Sequence, residues 1–178
     1  DIFEIEDFVP DYKSIRKKYS NYKSKIIISD HGFVGTTHSF GYRSYLTREN
    51  GYRLKNIFPE SKIIIFIRNQ MDIIASTYIQ YLKTGGTYSV SKYIKTRRFF
   101  KLNDITFFSF AYFEYHRLIE FYNSLFGQQN VFVYLFEEFV TNPQACIKKF
   151  AKDCNLEYDE EDLDFSIRNR KYRKLLII

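Results

Sequence analysis

The sequence contains little cysteine, glycine or proline, and each shortage excludes a class of protein. Among 178 residues there are 2 Cys, 7 Gly and 3 Pro. So little Gly and Pro excludes a collagenous, linker-like or low-complexity chain. Cys146 and Cys154 lie eight positions apart, which is the spacing of neither a disulfide framework nor a metal site. We interpret both as reduced thiols, which favours a cytoplasmic location.

A long apolar run is also absent. No stretch approaches the ~20 apolar residues that a bilayer-spanning helix needs. The sequence shows no signal peptide either. Because it has no apolar run of that length, we expect no transmembrane segment. The first residue is Asp1 rather than Met, and we expect that the start of the gene product is missing.

Apolar and basic residues, by contrast, are plentiful. Hydrophobic residues make up 45% of the chain and aromatic residues 20%, which supplies a folded core and excludes a disordered chain. Lys and Arg number 27 against 21 Asp and Glu, a net charge of +6. This balance suits a nucleotide, a nucleic acid or a membrane surface and selects none of them. At this length we expect one domain over residues 1–178.

Three short apolar runs indicate buried strands. The strongest extends from Lys62 to Ile67, after Pro59, and the others cover Lys25–Ile28 and Val131–Phe136. Because these runs are rich in β-branched and aromatic residues and show no polar alternation, they are typical of a parallel sheet covered by helices on both faces. Three strands make a thin sheet, so we expect at least one more.

Helical patterns alternate with these runs. They cover residues 44–58, 71–82, 107–126 and about 143–154. Gly85-Gly86 and Gly127 end the second and third patterns, and Asn142-Pro143 is typical of a capped helix start. The alternation predicts an α/β fold of three layers, α/β/α, with a central parallel sheet.

Ligands of such folds bind beyond the carboxyl ends of the strands. Arg68 directly follows the central strand, and Ser76 comes eight residues later in the next helix. A planar guanidinium and a hydroxyl near a helix amino terminus suit a phosphate dianion. The alternative is an Arg that pairs with a surface carboxylate and a Ser that bonds its own helix. Taken alone, these two residues favour the alternative.

The surrounding residues favour the phosphate site. The segment Phe58–Tyr78 resembles the 3′-phosphate motif of sulfotransferases, in which a strand ends in Arg-Asn-Pro and a Ser stands eight residues after the Arg. Arg68 and Ser76 match the two positions that, in this family, bind the 3′-phosphate of the donor, 3′-phosphoadenosine 5′-phosphosulfate. Gln70 replaces the usual Pro, a departure that concerns entry into the helix more than ligand contact.

Two further segments resemble the family, in the family's order. Lys25–Phe33 is similar to the second strand and the loop that carries the catalytic base, and Asn130–Pro143 to a later strand and turn. The resemblance covers about residues 25–157. It implies a nucleotide-kinase-like (P-loop NTPase-like) fold that transfers a sulfuryl group from the donor to an acceptor hydroxyl, without a metal. Ile28–Gly32 and Tyr78–Gly86 are closer to bacterial carbohydrate-modifying members, so a carbohydrate is the favoured acceptor.

The family's first strand and glycine-rich loop, which bind the 5′-phosphosulfate, have no counterpart before Lys25. Gly32–Thr37 is the nearest similar stretch, but it follows the wrong strand. We expect the loop to lie upstream of Asp1, which would make this chain an amino-terminally incomplete sulfotransferase domain.

His31 is the candidate catalytic base. Attack of an alcohol oxygen on sulfur requires removal of a proton, which a His or Glu near a strand end can perform. His31 follows the first predicted strand, where the resemblance places such a residue, and the alternative is a surface His in a turn. Asp30 is the neighbour that could serve instead, and His116 is interpreted as structural.

Two other functions fit the same composition. A nucleotide-kinase-like phosphotransferase would share the sheet and a phosphate-binding Arg. A non-catalytic module could use the basic charge, densest in Arg168–Lys174, to bind nucleic acid. The basic residues do not form one stripe interleaved with aromatics, so no nucleic-acid partner is expected. The expected partners are the nucleotide donor and the hydroxyl acceptor.

Overall fold

The structure is a computed structural model that describes residues 11–22, 25–29, 33, 45–94 and 108–165. In chain order these ranges contain α1 (Tyr12–Ser20), α2 (Tyr45–Ile57), β1 (Ile63–Ile67), α3 (Gln70–Lys83), α4 (Val90–Ile94), α5 (Tyr115–Phe126), β2 (Val131–Leu135), α6 (Phe136–Thr141) and α7 (Pro143–Cys154). A 3₁₀ turn, Phe110–Phe113, precedes α5. No helix within the described ranges is both long and apolar enough to cross a bilayer.

The two strands pair in parallel. Ile63 lies opposite Val131, and the pairing continues in step to Ile67 opposite Leu135. These positions confirm the strands predicted over residues 62–67 and 131–136. Because the strands run in the same direction, their carboxyl ends lie at one edge of the sheet, as expected for the binding edge of an α/β fold.

Helices cover both faces of this pair. Successive side chains of a strand point to opposite faces, and Ile65 packs with Tyr122 and Phe126 of α5 on one face. On the other face Tyr134 stacks against Phe66, with ring centroids 5.3 Å apart, and contacts Phe150 of α7. The three-layer α/β/α arrangement predicted from the sequence is therefore confirmed.

A second core cluster consists of aromatic residues. Tyr81, Tyr93, Phe108 and Phe113 are buried together. They come from α3, α4 and the segment before α5. The ring centroids of Tyr81 and Tyr93 are 4.8 Å apart, and those of Tyr93 and Phe108 are 5.2 Å apart. Burial raises the pKa of Tyr93 to about 12, so its hydroxyl stays protonated at neutral pH.

The predicted end of α3 is confirmed in detail. The Gly86 N–H donates to the Tyr81 carbonyl oxygen at 2.9 Å, and the Gly85 N–H donates to that of Leu82 at 3.1 Å. Gly85 adopts a φ of 93°, a left-handed conformation that favours glycine. These two hydrogen bonds form a Schellman motif, which satisfies carbonyl groups at the helix end.

The strand predicted at Lys25–Ile28 is wrong. Residues 25–29 lie in neither a helix nor a strand and do not join the β1–β2 pair. Ile26, Ile27 and Ile28 are 41%, 63% and 37% exposed. A strand of this composition is stable when neighbours cover both of its faces. In the described structure these side chains lack that cover, while Lys25 donates to the backbone of Asn155 after α7.

The helix predicted over residues 107–126 is too long. Its carboxyl-terminal part is α5, but the chain leaves helical geometry at Glu114, where ψ is 71°, and Phe110–Phe113 forms a 3₁₀ turn. Phe113 packs into the aromatic cluster, whereas Phe126 packs under β1. The break allows neighbouring parts of the chain to contribute to both clusters. Residue 107 lies outside the described residues.

Gly51 marks a close approach of α2 to α5, because a Cβ atom there would lie 2.5 Å from Cε1 of Phe121. Helix propensity favours Gly51→Ala by about 1 kcal/mol, whereas overpacking costs about 1–3 kcal/mol. We expect a net loss of about 1 kcal/mol in the free energy of unfolding measured in urea. Adding Phe121→Leu should recover part of that loss. A stabilised single variant would contradict the close approach.

Candidate anion-binding site

Arg68 and Ser76 lie together at the carboxyl edge of the sheet. Arg68 follows the last residue of β1, and Ser76 lies about two turns into α3. Nη1 of Arg68 donates a hydrogen bond to Oγ of Ser76 at 3.1 Å. Both side chains are half-buried. The structure thus brings together the two residues that the sequence motif singles out.

The guanidinium of Arg68 keeps a donor that the described residues do not use. Its Nε is enclosed and has no hydrogen-bond partner among the described residues. In the same part of the chain, no carboxylate forms an ion pair with it at 4.0 Å or less. Its Cζ lies 5.0 Å from the ring centroid of Phe136, within the range of a cation–π contact. The alternative of an Arg paired directly with a surface carboxylate therefore finds no partner among the described residues, although the Arg68 charge helps to lower the pKa of Glu137.

The amino terminus of α3 is occupied by protein groups. Oδ1 of Asn69 accepts the N–H of Met71 at 3.0 Å and that of Asp72 at 3.3 Å. The Ile73 N–H donates to the Asn69 carbonyl oxygen at 3.0 Å. These backbone donors are therefore already used, and Arg68 and Ser76 present their side chains instead. Gln70, at the position where the family has Pro, donates from Nε2 to the carbonyl oxygen of Phe113 at 2.9 Å.

A side chain from another element holds the turn between β1 and α3. Oε1 of Glu137 accepts the N–H of Asn69 at 2.8 Å. Glu137 is the second residue of α6, which follows β2 directly. The turn that carries Arg68 is thus bonded to the helix that follows the neighbouring strand.

The surroundings shift the pKa values of Glu137 and of Tyr115, the first residue of α5. The hydrogen bond from Asn69, supported by the N–H of Glu137 itself and the Arg68 charge, holds the pKa of Glu137 below its ordinary value. Burial raises the pKa of Tyr115, although the nearby Arg68 opposes this shift. At neutral pH the carboxylate of Glu137 is therefore charged, which suits an acceptor of the Asn69 N–H, and the phenol of Tyr115 is protonated.

This arrangement can bind an oxyanion. A guanidinium fork, a hydroxyl and a neighbouring ring lie at the carboxyl edge of a parallel sheet, where α/β proteins bind ligands. An Arg can contact two oxygens of a phosphate group at once, and Nε of Arg68 is a donor that lacks an acceptor among the described residues. The fold and the site therefore define an α/β protein suited to a phosphorylated ligand.

The other residues singled out by the sequence are placed differently. His31 and Asp30 lie outside the described residues, so the assignment of the base stays a prediction. His116 is exposed on α5. Glu137 and Phe136 were not proposed as site residues. A signal existed for both, because Phe136 ends a predicted strand, Glu137 directly follows it, and ligands bind beyond strand ends.

Comparison with known proteins identifies the family. Residues 42–160 match the sequence profile of the Sulfotransferase family. This range is more than half of the chain, and the protein therefore belongs to that family. Arg68, Ser76 and Glu137 lie within the matched range, whereas His31 precedes it. No curated protein sequence matches the chain.

A solved structure supports the same fold. The crystal structure of a sulfotransferase from Alicyclobacillus acidocaldarius is similar to this chain, with a TM-score of 0.53 and 19% sequence identity. The similarity covers 67% of this chain and 51% of that one, so this chain spans about half the length of the solved protein. The nucleotide-kinase-like α/β fold that the sequence predicts is confirmed.

Asn69 caps α3, and its removal should destabilise the turn that carries Arg68. Loss of an Asn cap costs about 1 kcal/mol, so Asn69→Ala should lower the free energy of unfolding by about that amount in urea. Asn69→Ser, which can accept the same N–H groups, should remain close to the wild type. Equal losses in both variants would indicate that the amide makes another contact and that capping is not its main role.

Proposed function

We propose that this protein transfers a sulfuryl group from 3′-phosphoadenosine 5′-phosphosulfate to the hydroxyl group of an acceptor, with Arg68 and Ser76 binding the 3′-phosphate of the donor. The observation that carries the proposal is the 3.1 Å hydrogen bond between Arg68 and Ser76. This hydrogen bond brings together the two side chains that match the 3′-phosphate motif of the family. Membership of the Sulfotransferase family supports the same donor.

The residues of the site fit a 3′-phosphate. Arg68 supplies a permanent positive charge and a planar set of N–H donors, and Nε still lacks an acceptor among the described residues. Ser76 can donate its hydroxyl proton to the ligand while its oxygen accepts from Arg68. Phe136 restricts the guanidinium from one side. Together these groups would fix the nucleotide by a phosphate remote from the reacting sulfur.

The donor supplies an activated sulfuryl group. In the transfer, the acceptor oxygen forms a new bond to sulfur while the bond between sulfur and the 5′-phosphate oxygen breaks, releasing adenosine 3′,5′-bisphosphate. A base must accept the hydroxyl proton, and His31 is proposed for that role, with Asp30 as its alternative. Binding energy from the remote 3′-phosphate can then hold the donor in the reactive orientation.

We further propose a carbohydrate acceptor and a cytoplasmic location. The acceptor rests on the similarity of Ile28–Gly32 and Tyr78–Gly86 to carbohydrate-modifying members of the family. The location rests on Cys146 and Cys154, which are free thiols in the structure, since reducing compartments keep thiols unpaired.

The donor site is tested by calorimetric titration with adenosine 3′,5′-bisphosphate. Arg68→Ala should weaken binding at least about tenfold, because a charge-assisted contact contributes roughly 1.5–3 kcal/mol. Ser76→Ala should weaken it by a smaller factor. Arg117→Ala removes the same charge from the exposed surface of α5 and serves as the matched control, with wild-type affinity expected. Preference of the wild-type protein for ATP would instead favour a nucleotide-kinase-like phosphotransferase.

The proposed base is tested by turnover. With an acceptor identified from a panel of oligosaccharides, His31→Ala should lower kcat about 100-fold or more and leave the affinity for adenosine 3′,5′-bisphosphate unchanged, because the base acts on the acceptor proton. His116→Ala, at an exposed position of α5, is the control and should retain activity. Wild-type turnover in His31→Ala would remove His31 from the mechanism and make Asp30→Asn the next variant.

A further inference from the structure

Arg68 lies in a turn whose backbone is held by another element. The N–H of Asn69, the residue after Arg68, donates to Oε1 of Glu137 at 2.8 Å. The peptide group that joins Arg68 to Asn69 at the end of β1 is therefore bonded to a side chain of α6. This hydrogen bond belongs neither to a helix nor to the sheet.

We propose that Glu137 is a positioning residue for the 3′-phosphate site, which holds the Arg68–Asn69 turn so that the guanidinium points at Ser76. This inference rests on the proposed function, because it assigns Glu137 to the site that Arg68 and Ser76 form. Glu137 acts through the backbone of the turn, without contact between its side chain and the nucleotide.

The aim of the guanidinium depends on this turn. An Arg side chain is long and rotatable, so a small rotation of its backbone moves the guanidinium much further than the Cα atom. In the described structure the guanidinium has one hydrogen bond, to Ser76, and one ring contact, with Phe136. These two contacts restrict its end, whereas Glu137 restricts its origin. Because the end and the origin of the Arg68 side chain are fixed before the ligand arrives, less entropy is lost on binding.

Glu137 serves the backbone rather than neutralising Arg68. The two side chains form no ion pair among the described residues at 4.0 Å or less, and Oε1 of Glu137 is engaged with the Asn69 N–H. A carboxylate near a phosphate site has an electrostatic cost, because like charges repel. That cost would be offset if the hydrogen bond to Asn69 were needed to orient Arg68. The repulsion would weaken binding of the phosphate, whereas the orientation of Arg68 would strengthen it. The two effects can therefore be separated by experiment.

The experiment compares two nucleotides that differ in the 3′-phosphate. For the full-length protein and each variant, calorimetry gives the dissociation constants for adenosine 5′-monophosphate and for adenosine 3′,5′-bisphosphate. Their ratio is the 3′-phosphate increment. Glu137→Ala should reduce this increment about threefold to tenfold, as expected for the loss of one charge-assisted hydrogen bond. The affinity of this variant for adenosine 5′-monophosphate should change little.

Conservative variants provide the controls. Glu137→Gln keeps an oxygen that can accept the Asn69 N–H and should retain most of the increment. Glu138→Gln makes the same charge change one residue along α6 and should leave the increment at its wild-type value. Thermal unfolding of each variant shows whether it is folded, and if Glu137→Ala fails to fold, Glu137→Gln still decides.

The outcomes separate this inference from the proposed function. A large increment in the wild-type protein that Glu137→Ala leaves unchanged would overturn the positioning role alone. An increment that rises in Glu137→Gln would also overturn it, because the carboxylate would then act as a repulsive charge. Equal losses of affinity for both nucleotides would show a purely structural role. A wild-type increment near one would overturn the 3′-phosphate site itself, and the positioning role with it.

Discussion

The parallel pairing of β1 with β2 is the interaction on which the described structure depends. The strands run in step from Ile63 opposite Val131 to Ile67 opposite Leu135, so the chain leaves both strands at the same edge. Arg68 and Phe136 therefore emerge side by side, and α3 and α6 begin next to each other. An antiparallel pairing of the same two segments would place Phe136 at the opposite edge from Arg68. Strand direction thus determines the site before any individual side chain does.

Two separate core clusters hold the elements on either side of the Arg68–Asn69 turn. Ile65 fixes β1 against α5, whereas Tyr81 fixes α3 within the aromatic cluster. Gln70 connects the two regions, because it begins α3 and donates to the carbonyl oxygen of Phe113 in the 3₁₀ turn before α5. The hydrogen bond between Arg68 and Ser76 therefore lies where these two packed units meet.

The sequence predicts the parts of this structure that depend on local pattern. The apolar runs of β1 and β2, the extent and terminal glycines of α3, and the Asn142-Pro143 start of α7 all appear as expected. The Lys25–Ile28 run has the same composition as β1 but no cover in the described structure, and composition alone cannot show whether neighbours are present. The break at Glu114 likewise depends on which cluster each aromatic residue joins. Both failures concern tertiary contacts, which override local preference.

The same distinction applies to the site. The spacing of Arg68 and Ser76 was sufficient to predict that both lie at one site, because one strand end and the helix after it are joined by a short turn. Glu137 lies 69 positions after Arg68 in the sequence, so only the pairing of β2 with β1 brings it near. Pattern identified the two side chains that the proposed function assigns to the ligand. The residue that is bonded to their turn required the fold.

Occupation of the α3 amino terminus by protein groups has a consequence for selectivity. A helix end with free N–H groups attracts many anions, because its donors belong to the backbone and its dipole is general. Here Asn69 accepts two of these N–H groups, which leaves the side chains of Arg68 and Ser76 as the groups proposed to bind the phosphate. A planar guanidinium restricts the direction from which a phosphate can approach more than a point charge does. If Arg68 and Ser76 bind the 3′-phosphate as proposed, the cap therefore favours a phosphate held in one orientation over anions in general.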